Sequence, residues 1–229
     1  MTAWRIPAMA GAILLFACAC RAAEFKSSQG FSITYPDNWL VMSTDQPDKV
    51  RREMQSRVKQ FSGVDLRRLA VIICEDSPAD FVANLNVVVS SGKAPAQKSD
   101  DEYRKLLTDE YRKLGVAVTD VQVERTQVSG LEAVSVHYNA VLQGVAQPQR
   151  QWQVTVLDKR RTFNITCSAP EADFAKYEPV FAASVNSLRI GPDSSLAGWL
   201  DNTLVRYGLI GVVVACVLVW LKMRMQRKD

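Results

Sequence analysis

Residues 151–190, QWQVTVLDKRRTFNITCSAPEADFAKYEPVFAASVNSLRI, carry the pattern that decides the fold. Apolar and polar side chains alternate from 151 to 157 and again from 162 to 168, with the polar run Asp158-Lys159-Arg160-Arg161 between them. A period of two is typical of strands, and a short polar connection favours a tight turn. The first half of the segment therefore predicts two antiparallel strands.

The second half of the same segment predicts a helix that begins at Pro170. Glu171 and Asp173 stand in the first turn, where acidic side chains stabilise a helix N-terminus. Pro179 is expected to kink or restart the helix. The expected buried stripe consists of Phe174, Tyr177, Phe181, Val185 and Leu188.

Upstream of this segment, alternation predicts strands over 116–127 and 131–142, joined by a tight turn at Ser129-Gly130. Ser99 with Glu102 three residues later is a capping-box pattern, so a helix is expected to begin there and to end at Gly115. Helices and an antiparallel meander together predict an α+β domain.

Nearer the N-terminus, two apolar runs over 69–74 and 81–90 predict a hairpin. In the second run Asn84 and Asn86 alternate with apolar residues, so one face of that strand is polar. A helix with a basic surface is expected over 48–60.

The stretch GFSITYPDNWLV, residues 30–41, predicts the strand that opens the domain. Its alternation indicates a strand, and Pro36-Asp37-Asn38 indicates a turn. Trp39 is expected to anchor the following segment by burial.

The segments FSITYPDNW, GLEAVSVHYNA and 151–190, in this order, resemble the PsbP-like group of α/β/α sandwiches, which includes DcrB-type and LpqN-type bacterial proteins. The resemblance covers about Phe25 to Ile190 and implies an antiparallel sheet flanked by helices. It also implies a non-catalytic role, because relatives serve as photosystem subunits, envelope proteins, binders of apolar ligands or chaperone-like adaptors. No shared catalytic residues accompany it.

The two ends of the chain predict export and anchoring. Residues 1–23 have the basic, apolar and small-residue order of a secretory signal, with either ordinary cleavage after a small-x-small site or lipidation at Cys18. Residues 204–222 predict a single transmembrane helix, followed by a basic cytoplasmic tail, 223–229. Residues 191–203 predict a juxtamembrane linker, so the domain 24–190 is expected to be periplasmic, on the bacterial inner membrane.

Charge excludes one class of partner. Seven basic residues and one acidic residue belong to the two ends, which leaves 21 Lys and Arg against 23 Asp and Glu in the middle. A nearly neutral domain does not predict nucleic-acid binding.

Two basic patches are candidates for contact with an anionic surface: Lys49, Arg51 and Arg52 in the predicted helix, and Lys159, Arg160 and Arg161 in the predicted turn. Cys74 and Cys167 are the cysteines of the exported domain and predict either a disulfide or two buried free thiols.

His137 is the only histidine and is expected on the strand face opposite Val134 and Val136. No residue spacing predicts a catalytic site, a metal site or a cofactor site.

The function expected from the sequence is a non-enzymatic, membrane-anchored adaptor that binds an envelope protein. One alternative is a carrier of a lipid or another apolar molecule in a cavity lined by Tyr103, Leu107, Phe174 or Phe181. The other, less favoured, is a hydrolase that uses His137.

Overall fold

The computed structural model describes residues 21–43, 69–77, 81–91, 99–113, 115–141 and 147–191. These residues form strands and helices with the following bounds: β1 Ala22–Ser27, β2 Phe31–Pro36, β3 Trp39–Ser43, β4 Leu69–Glu75, β5 Asn84–Ser91, α1 Asp100–Lys113, β6 Ala117–Val128, β7 Leu131–Val141, β8 Gln149–Leu157, β9 Arg161–Pro170, a 3-10 turn Glu171–Asp173, α2 Phe174–Asn186 and β10 Arg189–Ile190.

A large antiparallel sheet forms the centre of the domain, in the order β3-β4-β5-β9-β8-β7-β6. A small antiparallel sheet has the order β1-β2-β10. The prediction of an α+β domain built on an antiparallel sheet is confirmed. Ser129 and Gly130 connect β6 to β7 with φ angles of 54° and 76°, the left-handed pair that a two-residue hairpin turn requires.

The first face of the large sheet, which carries Val87, Val154 and Ile165, packs against α2 and the small sheet. The predicted helix stripe is confirmed, since Phe181 and Leu188 are fully buried in this core. β2 and β3 belong to different sheets, so the turn after Pro36 passes the chain from one sheet to the other.

Trp39 begins β3 and packs edge-on against Phe181 at 6.2 Å and Tyr177 at 6.4 Å between ring centroids. Only 8% of Trp39 is exposed, which confirms that it anchors the segment after the turn.

The second face of the large sheet carries α1 over β6 and β7. The capping box is confirmed: the Ser99 N–H donates to Glu102 Oε2 at 2.7 Å, and the Glu102 N–H donates to Ser99 Oγ at 3.2 Å. Gly115 follows the helix with a φ of 73°, the left-handed conformation that favours glycine at a helix end.

The predicted restart of the last helix at Pro179 is wrong, because α2 is continuous from Phe174 to Asn186. A proline inside a helix costs about 3 kcal/mol. Phe174, Phe181 and Val185 are at most 3% exposed, and burial of each such side chain contributes about 1.5–3 kcal/mol, which offsets that cost.

Two strands have no counterpart among the predicted elements. β1 includes Ala22 and Ala23, which the sequence assigned to the signal, and β10 has only two residues. β10 pairs with β2, and the Gly191 N–H donates to the Gly30 oxygen at 2.9 Å. Hydrogen bonding to the small sheet therefore continues as far as Gly191.

Several predictions fall outside the described residues: most of the signal 1–23, the helix over 48–60, the linker beyond Gly191, the span 204–222 and the tail 223–229. In the described part of the chain, no helix has the length and apolar character needed to cross a membrane.

Candidate functional site

A basic cleft opens at the β8–β9 turn, where β10 passes close to it. The cleft has a volume of about 610 Å³. Its lining residues are Ser129, Leu131, Asp158, Lys159, Arg160, Arg161, Arg189, Ile190 and Gly191. Four of these side chains are cationic and one is acidic, so the cleft is a positively charged surface.

Lys159, Arg160 and Arg189 are exposed and supply the accessible charge of the basic cleft. Lys159 and Arg160 were predicted as an anionic-surface contact, and Arg189 was not. Arg189 joins them because β10 pairs with β2 and runs beside the hairpin end, a contact that no local sequence pattern reports. Lys49, Arg51 and Arg52, the other predicted patch, lie outside the described residues.

Arg161 differs from its two neighbours because it is buried, with 4% of the residue exposed. Its guanidinium donates to the main-chain oxygens of Gln29 at 2.9 Å and Gly191 at 2.8 Å, and it pairs with Asp158 at 3.4 Å. Arg161 therefore links the segments at the base of the cleft, and its charge is not available to an external anion. This corrects its prediction as a surface contact.

The second face of the large sheet carries a layer of buried neutral polar side chains on β5, β9 and β8, which we call the polar panel. Its members are Asn84, Asn86, Ser90, Gln149, Gln151, Gln153, Asn164, Thr166 and Ser168. They form rows across three neighbouring strands. In one row Asn84 pairs with Ser168 and Ser168 pairs with Gln151; in the next row Asn86 pairs with Thr166 and Thr166 pairs with Gln153. None of them is more than 6% exposed.

Asn86 and Gln151 of the polar panel are each held at one end of the side-chain amide and unpartnered at the other, whereas Gln149 is unpartnered at both ends. Asn86 donates through Nδ2 to the Thr166 main-chain oxygen at 3.3 Å, while its Oδ1 has no partner. Gln151 accepts from the Tyr138 hydroxyl at 2.6 Å, while its Nε2 has no partner. Across the panel, ten buried side-chain polar atoms lack a hydrogen bond.

The polar panel was partly visible in the sequence. Asn84 and Asn86 were recognised as one polar face of a strand, and the alternation of β8 and β9 carried the same signal at Gln151, Gln153 and Thr166. That this face is buried was not predicted, because an alternating pattern does not tell which face is covered.

Cys74 and Cys167 are both buried free thiols. Cys74 pairs with Asn84 and Cys167 pairs with Leu85, so β5 lies between them and their side chains project from opposite faces of the sheet. Two strand spacings separate them by about 10 Å, whereas a disulfide needs Cα atoms within about 7 Å. The disulfide alternative is therefore incompatible with this fold.

His137 lies on the face opposite Val134 and Val136, as predicted. Its ring stacks on Trp152 at 5.4 Å with an interplanar angle of 10°, and it meets Phe174 edge-on at 6.4 Å. Burial, with a smaller contribution from Arg150, lowers the pKa of His137 below its usual value. These contacts give His137 a packing role, so they do not favour the hydrolase hypothesis.

The four residues named as candidates to line a lipid-carrier cavity divide between the two faces of the large sheet. Phe174 and Phe181 belong to the core on the first face, while Tyr103 and Leu107 pack on the second face. The large sheet separates the two pairs, so they cannot line one pocket.

These features define an α+β domain with one candidate binding surface, the basic cleft, and a buried layer of polar side chains, the polar panel. No family model matches the sequence, and no curated protein matches it.

Among solved structures, the chain is similar to PsbP from the cyanobacterium Synechocystis, with 13% identity and a TM-score of 0.49 over 76% of this chain and 95% of that one. It is also similar to LpqN of Mycobacterium tuberculosis, which is involved in cell envelope biogenesis, with 11% identity and a TM-score of 0.44 over 75% and 92%.

A protein of unknown function from Pseudomonas aeruginosa is similar as well, with 14% identity and a TM-score of 0.41 over 75% of this chain and 98% of that one. PsbP and LpqN, two of the kinds of protein that the sequence resemblance named, are thus both among these structures. At such identities and scores, the likeness carries no argument about what this chain binds.

Proposed function

We propose that this chain is a non-catalytic binding protein of the bacterial cell envelope, anchored in the inner membrane by residues 204–222, with its domain on the periplasmic side. The basic cleft is its membrane-facing surface and contacts anionic phospholipid headgroups. An envelope protein held by the domain at the bilayer would make it an adaptor.

The observation that carries this proposal is the position of Gly191. Gly191 lines the basic cleft beside Arg160 and Arg189, and it directly follows β10, with residues 192–203 between it and the predicted span. Residues 192–203 can extend at most about 40 Å, at about 3.5 Å each. The cleft is therefore tethered within reach of the bilayer that the span would cross.

Charge supports the same orientation. Lys159, Arg160 and Arg189 are exposed, while the acidic Asp158 is paired with the buried Arg161 and leaves their charge uncompensated. Each Lys or Arg close to an anionic membrane contributes about 1 kcal/mol of attraction. Three of them favour a docked orientation by about 3 kcal/mol.

The test reconstitutes the full chain into vesicles of phosphatidylcholine alone or with added phosphatidylglycerol and follows amide hydrogen exchange at the β8–β9 turn. We expect protection of the Lys159 and Arg160 amides only with phosphatidylglycerol. Protection should disappear at about 1 M salt, where the screening length is about 3 Å.

A triple variant, Lys159→Ser, Arg160→Ser and Arg189→Ser, should lose this protection. The matched control removes the same charge from the exposed surface of α1 through Lys105→Ser, Arg112→Ser and Lys113→Ser, and should keep it. Equal protection in both lipids, or an equal loss in both variants, would contradict headgroup binding. Protection that requires an added envelope extract would favour an acidic protein partner instead.

A further inference from the structure

The outer edge of the small sheet, formed by β1, has no role in the proposed membrane contact. β1 pairs with β2 on one side, and no other strand of the described residues pairs with its outer side. A sheet edge presents a row of N–H and C=O groups, which makes it a template for pairing with another chain. Ala22, Glu24 and Lys26 along this edge are exposed. β1 is therefore a candidate surface for the addition of a strand.

The register of β1 fixes which of its main-chain groups point outward. The Asp37 N–H donates to the Arg21 oxygen at 2.9 Å, and these two residues are opposite each other when the register of β1 and β2 is continued by one pair. Hydrogen-bonded and non-hydrogen-bonded pairs alternate along an antiparallel ladder. Phe25 is therefore hydrogen-bonded to β2, whereas the N–H and C=O groups of Glu24 and Lys26 point away from it.

Glu24 and Lys26 place opposite charges on one face of this edge. Their charged groups lie 3.2 Å apart, and 45% of the Glu24 side chain and 77% of the Lys26 side chain are exposed. A hydrogen bond with Ser32 is the main cause that lowers the pKa of Glu24, and Lys26 adds to it, so the carboxylate is charged at neutral pH. Charged side chains commonly protect a sheet edge from pairing. An edge that carries both signs two residues apart can instead match a strand with the reverse order of charges.

A second copy of β1 has that reverse order when it lies antiparallel to the first. With Phe25 opposite Phe25 of the second copy, Glu24 lies opposite Lys26 of the second copy, and Lys26 lies opposite its Glu24. Both are hydrogen-bonded positions, so the outward main-chain groups of Glu24 and Lys26 all find partners. The Phe25 pair is a non-hydrogen-bonded one, in which side chains lie closer together. These three residues belong to the predicted domain 24–190, so removal of the predicted signal leaves this register intact.

The edge formed by β6 lacks such a match. β6 ends the large sheet, but its ladder is interrupted between Thr119 and Gln122, and Asp120 has a φ of 54°. A bulge twists an edge away from an added strand. Arg125 on β6 is already paired with Asp100 of α1 at 3.3 Å. β6 is therefore protected, whereas the pairing of β1 is regular along its whole length.

We propose that β1 is a self-association surface at which two copies of this chain pair their β1 strands antiparallel, with Phe25 at the two-fold axis. The two three-stranded small sheets then form one continuous sheet. The axis is perpendicular to that sheet, so Arg189, which shares a face with Lys26, stays on the same side in both copies. Both basic clefts can thus face one bilayer, but the pairing itself does not depend on the membrane contact.

The test measures energy transfer between full chains labelled at the C-terminus with a donor or an acceptor, in an uncharged detergent and over a series of protein concentrations. The wild type should show transfer that rises with concentration. Glu24→Lys alone and Lys26→Glu alone should each weaken self-association about tenfold, because both charge pairs become repulsive. Donor-labelled Glu24→Lys mixed with acceptor-labelled Lys26→Glu should restore it, because each variant supplies the charge that the other lacks.

Amide hydrogen exchange reads the paired strand directly. Exchange at Glu24 and Lys26 should slow as the protein concentration rises, whereas exchange at Phe25, which is hydrogen-bonded to β2 in each copy, should change little. The matched control is Lys105→Glu at an exposed position on α1, which should keep the wild-type transfer. The triple variant of the basic cleft should keep it as well, so the two proposals can fail separately.

Absence of energy transfer in the wild type over the whole concentration series would overturn the proposal. Transfer that Glu24→Lys and Lys26→Glu both retain in full would assign the association to another part of the chain, such as the predicted span, and would also overturn it. Weak transfer in both single variants that their mixture does not restore would exclude the register with Phe25 at the axis, and the proposal with it.

Discussion

The guanidinium of Arg161 donates a 2.8 Å hydrogen bond to the main-chain oxygen of Gly191. This contact joins the β8–β9 hairpin to the residue that follows β10. The same side chain donates to the oxygen of Gln29 at 2.9 Å, and its cationic carbon lies 5.1 Å from the centre of the Phe163 ring. One buried cation thus connects β9 of the large sheet to the ends of two strands of the small sheet.

Replacing Arg161 should destabilise the domain much more than replacing its neighbour. Arg161→Met leaves two main-chain oxygens and Asp158 without their donor, so we expect a loss of about 3 kcal/mol in the free energy of unfolding. Arg160→Met, at an exposed position, should change it by less than about 0.5 kcal/mol. Urea unfolding followed by tryptophan fluorescence measures both, and equal effects would contradict the structural role.

Arg161→Lys separates the contribution of the positive charge from that of the two hydrogen bonds. An ammonium keeps the charge but cannot reproduce the planar fork that reaches Gln29 and Gly191 together. We expect this variant to be destabilised nearly as much as Arg161→Met. Wild-type stability in Arg161→Lys would mean that charge alone, rather than the two hydrogen bonds, holds the cleft floor.

Two tyrosines form a buried polar contact between α1 and the large sheet. The hydroxyls of Tyr111 and Tyr138 lie 2.5 Å apart, and Tyr138 donates to Gln151 Oε1 at 2.6 Å. Tyr138→Phe removes both bonds and should lower the free energy of unfolding by about 2 kcal/mol, while Tyr111→Phe removes one and should cost about 1 kcal/mol.

The double variant tests whether the two tyrosines act together. Tyr111→Phe with Tyr138→Phe should cost less than the sum of the single changes, since both remove the same bond. Strict additivity in urea unfolding would contradict the hydrogen bond between the tyrosines.

Much of this fold follows from local pattern. The alternation of β6 to β9 reports which side chains share a strand face, and the capping box of Ser99 and Glu102 reports where a helix begins. The stripe of Phe174 and Phe181 reports which face of the last helix is buried. A period in the sequence encodes such facts directly.

Features that depend on strand order could not be predicted from the sequence. The separation of Cys74 from Cys167 follows from β5 lying between β4 and β9, and Arg189 reaches the basic cleft only through a two-residue strand. The burial of Asn86 and Gln151 depends on what covers the second face, which neither β5 nor β8 records in its own sequence.

The two thiols of the domain should be unreactive in the folded protein. Burial, with a smaller contribution from Asp76, raises the pKa of Cys74 to about 11, and burial raises the pKa of Cys167 well above its usual value. At about pH 8 neither forms the reactive thiolate to a useful extent. We expect a maleimide to modify neither thiol in the folded protein and both thiols in denaturant, even when no reductant is present. Peptide mapping by mass spectrometry would show this.

Peptide mapping also separates these thiols from the other three cysteines of the chain. A peptide pair linked through Cys74 and Cys167, or modification that requires a reductant in denaturant, would contradict the strand order that keeps them apart.

Stability should depend on the single histidine at mildly acidic pH. Burial first and Arg150 second lower the pKa of His137, against weaker opposing contributions from Glu178 and Glu124. The unfolded chain therefore takes up a proton near pH 6.5, whereas the folded protein takes it up only at lower pH. Because the unfolded state binds more protons in this range, the free energy of unfolding falls as the pH falls below about 6.5. No further loss from His137 occurs below the pKa of the folded state.

His137→Phe keeps a ring that can stack on Trp152 and removes the titration. Between about pH 7.5 and about pH 5, its free energy of unfolding should fall less than that of the wild type, so the difference between the two isolates His137 from the carboxylates. In a tagless protein, the Cε1 proton of His137 gives one NMR signal. Its midpoint should lie below 6.5; a midpoint above 6.5 would mean that the charged imidazole is the favoured form, and the stacking on Trp152 would need another explanation.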